Sequence, residues 1–184
     1  MNPNDFIRLS ELGVAGPART ALCGQDDNLM VHAVIEHIRP GEVLVLSMPE
    51  PSPVALVGEL LATQAKVRGA AGILVDGSVR DVSELIELGL PVWGHFIRVR
   101  GATKTKIGEL SRTVTVGGTD IAPGDIVAMD VDGGVRVKRE RVEEVLKASE
   151  ERLAREDALR KKLLAGQISY DLHGLRDYVE RNQK

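Results

Sequence analysis

Two short apolar runs, Glu42-Val43-Leu44-Val45-Leu46-Ser47 and Gly72-Ile73-Leu74-Val75-Asp76, constrain the fold more than any other feature of this chain. Each has the length of one buried strand, and segments with helical patterning alternate with them. Ahead of the first run, Val31, Val34, Ile35 and Ile38 recur at helical spacing. Asp27 reads as the N-cap of that helix, which spans 28–38 and is closed by Pro40-Gly41. Between the runs, Pro49, Pro51 and Pro53 make an extended loop, and a second helix runs over 58–68 to a stop at Gly69. After the second run, Asp81 or Ser83 opens a short helix that closes near Gly89, and Pro91-Val92-Trp93 is a further strand. With 18–23 as a leading strand, this strand–helix–strand–helix order predicts a sheet covered by helices.

Beyond Trp93 the character of the chain changes. Residues 112–116, 125–131 and 135–138 read as short strands, with Gly117-Gly118 and Asp132-Gly133-Gly134 as turns, and the last two strands as a β-hairpin. Residues 139–165 form a long, heavily charged helix whose thin apolar stripe is Val142, Val145, Leu146, Leu153 and Leu163. Packing on its own small domain explains such a helix poorly, and it is expected to reach along a neighbouring subunit. The expected organisation is one α/β domain over 1–138 and a helical extension over 139–184.

Composition narrows the function classes. A chain of 184 residues is enough for one core. The net charge of −3 comes with no concentrated basic strip, and aromatic residues make up only 3%, which argues against a nucleic-acid partner. The first thirteen residues lack a basic start followed by an apolar run, and no apolar stretch reaches membrane-spanning length, so no membrane association and a cytoplasmic location are expected. Cys23 is the single cysteine, so an intrachain disulfide is impossible, and it reads as a small core residue rather than a nucleophile.

The candidate chemistry sits at two turns. Gly58 precedes a helix, so the free N–H groups of Glu59, Leu60 and Leu61 can face a carboxylate or phosphate. Every helix start offers such groups, and an ordinary strand-to-helix turn is the competing reading. The turn Asp76-Gly77-Ser78 leads to Arg80-Asp81, where an arginine can clamp a carboxylate or keto oxygen and an aspartate can reach a metal. The competing reading there is a helix N-cap beside a solvated arginine. His32, His37, His95 and His173 are scattered without zinc-site spacing and read as ordinary polar residues. One or two carboxylates with several waters suit Mg²⁺ or Mn²⁺.

Glu59, twenty intervening residues and Arg80-Asp81 make up the signature acid–x20–Arg–Asp. Together with GPARTALCGQDDNLMVHAVIEHIRPGEVLVL, RGAAGILVDGSVRD, LPVWGHFIRVRGATK and the tail GQISYDLHGLRDYV, it resembles the 4-hydroxy-4-methyl-2-oxoglutarate / 4-carboxy-4-hydroxy-2-oxoadipate aldolases. Their family also contains the regulator of ribonuclease E activity A. The resemblance covers nearly the whole chain. In one departure, those aldolases carry additional helical sequence ahead of the segment matched here by 12–21, so this chain starts late.

The resemblance implies a swivelling β/β/α fold with a central mixed sheet flanked by helices, assembled as a homotrimer or hexamer. It further implies a class II aldolase that cleaves 4-hydroxy-2-oxo diacids to pyruvate and decarboxylates oxaloacetate. By the same resemblance, Asp81 holds Mg²⁺ or Mn²⁺, Arg80 contacts the keto and carboxylate oxygens, and Glu59 acts with the metal's waters. The backbone N–H groups after Gly58, at Leu60 and Leu61, take the substrate carboxylate. Glu156 of a neighbouring subunit's helix completes the set, with Asp157 as the register alternative. The rival implication is the regulator branch, a non-enzymatic protein that binds a ribonuclease.

Overall fold

The computed structural model describes residues 7–8 and 13–183. Most of the N-terminal stretch in which the sequence has no basic start therefore lies outside the described residues. The chain divides into two compact units, Met1–Arg139 and Glu140–Lys184.

In the first unit the elements run β1 (Ile7–Arg8), β2 (Val14–Leu22), α1 (Leu29–Glu36), β3 (Val43–Ser47), β4 (Ala55–Val57), α2 (Glu59–Val67), β5 (Gly72–Val79), α3 (Val82–Leu88) and β6 (Val92–Ile97). There follow β7 (Glu109–Leu110), β8 (Val114–Val116), β9 (Thr119–Ile121), β10 (Ile126–Met129) and β11 (Gly134–Val137). Nine strands form a mixed sheet in the order β1-β6-β5-β3-β2-β10-β11, with β4 also on β5 and β7 also on β2, while β8 and β9 make a separate ribbon. The predicted hairpin is the antiparallel pair β10–β11.

The centre of the sheet is parallel: β2, β3, β5 and β6 pair in that sense. Parallel strands need crossovers that cover the sheet, and strands buried on both faces read as continuous apolar runs. Every residue of β3 and β5 is buried accordingly. On one face, Leu44, Leu46, Ile73 and Val75 pack with Val31, Val34 and Ile35 of α1, Ala62 and Ala65 of α2, and Leu85 of α3. On the other, Val43, Val45, Leu74 and Trp93 pack with Val114, Val116 and Ile121 of the ribbon and with Val127 and Met129 of β10. The layers of the first unit are thus helices, central sheet and small sheet. Strand β2 joins the two parts of the nine-stranded sheet: Val14–Pro17 pair with β10, and Ala18–Leu22 with β3.

Several boundaries differ from the sequence reading. The second apolar run continues as strand to Val79, passing through Gly77, where a Cβ would stand 2.7 Å from the flexible end of Met48. The proline segment, predicted as loop, ends in strand β4. The N-cap position of α1 is Asn28, although the Asp27 carboxylate does accept the Leu29 N–H at 2.8 Å. Cys23 is buried, and burial with the nearby Asp27 charge pushes its thiol up to about 12, which leaves it inert as the core reading requires.

The second unit consists of α4 (Val142–Leu164), α5 (Ser169–Leu172) and α6 (Leu175–Asn182). No residue of these helices is buried within it. No described helix is long and apolar enough to cross a membrane.

Two measurements test this packing. Leu46 is completely buried, so Leu46→Ala should cost about 2–5 kcal/mol in chemical denaturation. Burial raises the carboxyl pKa of Glu42 and Asp27, but hydrogen bonds outweigh it and hold both below the usual range: Arg19 and the Arg39 N–H at Glu42, and Thr103 with backbone N–H groups at Asp27. A depressed carboxyl contributes stability that is present above its unfolded pKa and lost as pH falls through the folded one. Stability should therefore decline once pH drops below about 4, and Glu42→Gln should flatten that decline.

Candidate active site

The twenty-residue spacing between Glu59 and Arg80 is the length of one crossover. Strand β4 ends at Val57, α2 runs back, and β5 returns parallel to β4, with Val57 paired to Val79. The turn after each strand then lies at the same carboxyl end of the sheet, the edge where open α/β sheets bind ligands. The Arg80 N–H donates to the Val57 carbonyl at 3.0 Å, which locks the two turns together.

Asp81 occupies the N-cap position of α3 with φ 59° and ψ 48°, a left-handed conformation that aspartate tolerates and most side chains do not. Its side chain makes no cap bond to α3. It turns instead to the start of α2, where Oδ2 accepts the Glu59 N–H at 3.1 Å and lies 3.5 Å from Arg80 Nε. The simple helix-cap reading of Asp81 is thus corrected: the carboxylate faces the other turn. Gly58 allows this approach, since a Cβ there would run into Asp81 Oδ2 and stand 3.0 Å from Arg80 Nε. Glu59 is held by the Thr63 hydroxyl, which donates to Oε1 at 2.8 Å.

Gly58, Leu60, Leu61, Arg80 and Asp81 line a cavity of about 350 Å³ together with Asn28, His32 and Lys104, whereas Glu59 is not part of its lining. The Arg80 and Asp81 side chains are 47% and 39% exposed, so both keep capacity for a ligand. Asn28 is buried; its Nδ2 donates to the Leu56 carbonyl at 3.1 Å, while its Oδ1 is buried without a partner. An orphaned buried acceptor asks for a ligand or water donor.

The structure therefore brings together Gly58, Glu59, Leu60, Leu61, Arg80 and Asp81. Glu156 belongs to the second unit, on the exposed surface of α4, where Arg152 Nε pairs with it at 2.7 Å. Asn28 and Lys104 are not among the sequence candidates, and His32, read there as an ordinary polar residue, lines the cavity with them. The spacing of four between Asn28 and His32, which puts both on one side of a helical turn, was the available signal for two of them.

Among the described residues no three His, Cys, Asp or Glu side chains converge into a metal cage. A lone carboxylate such as Asp81, partly exposed beside a cavity, fits a hard cation that keeps most of its waters, as Mg²⁺ and Mn²⁺ do.

A mixed α/β unit with its paired turns at the carboxyl edge defines the class of fold, and comparison with known proteins identifies it. The description "RraA-like: Aldolase/RraA" matches residues 2–136, and the chain belongs to that family. A protein of Halalkalibacterium halodurans, provisionally named as a 4-hydroxy-4-methyl-2-oxoglutarate aldolase, is 30% identical over 168 residues, 91% of this chain and 78% of its own length. The RNA-processing inhibitor RraA from Thermus thermophilis is similar in structure, with a TM-score of 0.67 and 30% identity, covering 72% of this chain and 80% of that one. A Streptomyces coelicolor protein described as an unusual member of the RNase ES inhibitor RraA family has a TM-score of 0.74 at 30% identity, covering 83% and 80%.

The geometry at Gly58 is open to test. A crystal structure of Gly58→Ala should find the Asp81 carboxylate moved off the Glu59 N–H, with the melting temperature lowered by roughly 2–4 °C. An undisturbed contact would mean that α2, rather than Asp81, gives way.

Proposed function

We propose that this protein is a divalent-metal-dependent carbon–carbon lyase. It cleaves 4-hydroxy-2-oxo diacids such as 4-hydroxy-4-methyl-2-oxoglutarate to pyruvate and a second keto acid, and decarboxylates oxaloacetate as a side activity. The observation that carries the reading is the convergence of Arg80, Asp81 and the N-terminus of α2 on one cavity with Lys104 and the orphaned Asn28 carbonyl. An arginine and a lysine beside the N–H groups of Leu60 and Leu61, with the Glu59 N–H taken by Asp81, suit a substrate with two carboxylates and a keto oxygen. The name of the Halalkalibacterium relative supports the same class.

The reaction needs a proton taken from the C4 hydroxyl, cleavage of the C3–C4 bond with its electrons passing to the C2 keto oxygen, and a proton returned to C3 to give pyruvate. Mg²⁺ or Mn²⁺ held at Asp81 would supply Lewis-acid polarisation of the keto acid. Arg80 stabilises the charge that develops on the enolate oxygen, which is where preorganised donors act most strongly. The N–H groups of Leu60 and Leu61 hold the carboxylate next to the keto carbon. Glu59 moves protons, aided by Glu156 from a neighbouring copy in a homotrimer or hexamer. Decarboxylation of oxaloacetate passes through the same enolate, so the same residues serve it. The proposed setting is the cytoplasm, with a small keto acid as ligand and neither nucleic acid nor membrane as partner.

Pyruvate release from oxaloacetate and from 4-hydroxy-4-methyl-2-oxoglutarate, coupled to lactate dehydrogenase, should appear with Mg²⁺ or Mn²⁺ and vanish with EDTA. Arg80→Ala should lower the rate roughly 100- to 1,000-fold. Asp81→Ala should abolish the metal-dependent rate without unfolding the protein, and Glu156→Ala should reduce turnover with folding unchanged. The similarity to RNA-processing inhibitors favours a second reading, a non-enzymatic protein that binds a ribonuclease. No pyruvate from folded, metal-supplied protein, together with capture of a ribonuclease, would establish that reading instead.

A further inference from the structure

Two parts of the cavity wall hang from one buried carboxylate. Asp27 has no solvent exposure and directly precedes Asn28. Its Oδ1 accepts the Leu29 N–H at the start of α1, at 2.8 Å. Its Oδ2 accepts the Thr103 hydroxyl at 2.6 Å, the Thr105 N–H at 2.6 Å and the Lys106 N–H at 3.1 Å. The backbones on either side are tied as well: the Asn28 N–H donates to the Thr103 carbonyl at 2.9 Å, and the Thr103 N–H to the Asp26 carbonyl at 3.0 Å.

A single N–H bond would satisfy the start of a helix, and any short polar side chain supplies it. Asp27 spends its second oxygen on these three donors and, more weakly, the Thr105 hydroxyl at 3.5 Å, all from one distant segment 76 to 79 positions away. Burying a charge is costly unless its oxygens are fully bonded, so these donors hold the segment in place as firmly as the segment holds the charge. The segment carries Lys104 between two tethered residues. On the other side, the residue next to Asp27 is Asn28, and both Lys104 and Asn28 line the cavity with Arg80 and Asp81. A lysine ammonium on a four-carbon stem is aimed only as well as its backbone is fixed.

We propose that Asp27 is a positioning residue for this site: it latches segment 103–106 onto the start of α1 and thereby sets Lys104 and Asn28 against the cavity. The kinetic part of the proposal rests on the lyase reading, and the structural part does not.

In Asp27→Asn one oxygen becomes an NH₂ that faces a donor in either flip, so at least one tether is lost at constant size. Thr103→Val removes a single tether while leaving the carboxylate and α1 untouched, and carries the test if Asp27→Asn fails to fold. Hydrogen–deuterium exchange should rise roughly tenfold or more at amides 103–108 in Thr103→Val, and at 103–108 or at Leu29 in Asp27→Asn according to the flip, with β3 and β5 unchanged. With oxaloacetate, kcat/KM should fall about tenfold, mainly through KM, and the same change placed on Lys104→Ala should cost under about twofold, because residues acting through one another are not additive. Unchanged exchange at 103–108 in Thr103→Val, or an equal fold-loss with and without Lys104, overturns the latch. If the wild-type protein does not turn over oxaloacetate, it is the lyase reading that fails, and the exchange data alone decide the latch.

Discussion

The parallel pairing of β4 with β5 is the constraint from which the site follows. Strand β4 is only three residues long, Ala55–Val57, and it is anchored by pairing with the long, wholly buried β5. Between them the chain must cross over and return, and α2 is that crossover. Its N-terminus is thereby delivered next to the turn at Arg80, and the bond from the Arg80 N–H to the Val57 carbonyl keeps the two turns in register. The β5 anchor is firm because helices cover one of its faces and the small sheet the other. Polar groups can then gather at the edge of the sheet without the core giving way beneath them.

The way charges are buried separates the scaffold from the site. Glu42 is locked by the two-pronged Arg19 contact, at 2.8 and 2.6 Å, and by the Arg39 N–H at 2.9 Å. Asp125 is held by the N–H groups of Ala122 and Arg139. Such groups have spent their bonding capacity on the fold. Arg80 and Asp81 differ: they are partly exposed and share one long contact, which a ligand can replace at little cost. Asn28 is the intermediate case, with its amide fixed to the Leu56 carbonyl and its oxygen unspent. The left-handed backbone at Asp81 adds local strain at the point where its carboxylate is aimed off its own helix. The relatives of this chain include one provisionally named as an aldolase and others named as inhibitors, so the reading of activity rests on these side chains and not on the architecture.

The apolar runs at 42–47 and 72–76, the helical spacing around Val31–Ile38, the hairpin at Asp132-Gly133-Gly134 and the long charged helix were legible because each is a local pattern. So was the Arg-Asp motif with its acid, since the crossover that joins its parts has a fixed length in sequence. The rest required tertiary structure. The strand after Pro53 has no pattern of its own and exists because β5 offers it an edge. On sequence alone Asp81 reads as the cap of α3 or as a group reaching a metal; the missing Cβ at Gly58 and the nearby Glu59 N–H turn it to the start of α2. Lys104 lies 23 positions beyond Asp81 in a segment with no periodicity, and Asp27 gave no hint that it would bond to Thr103, Thr105 and Lys106. Sequence by itself determined most of the elements and the family signature, because backbone periodicity and residue type act over a few positions. Only the fold decided which carboxylate is spent on structure and which faces the cavity, because that depends on donors brought together from 22 to 79 positions away.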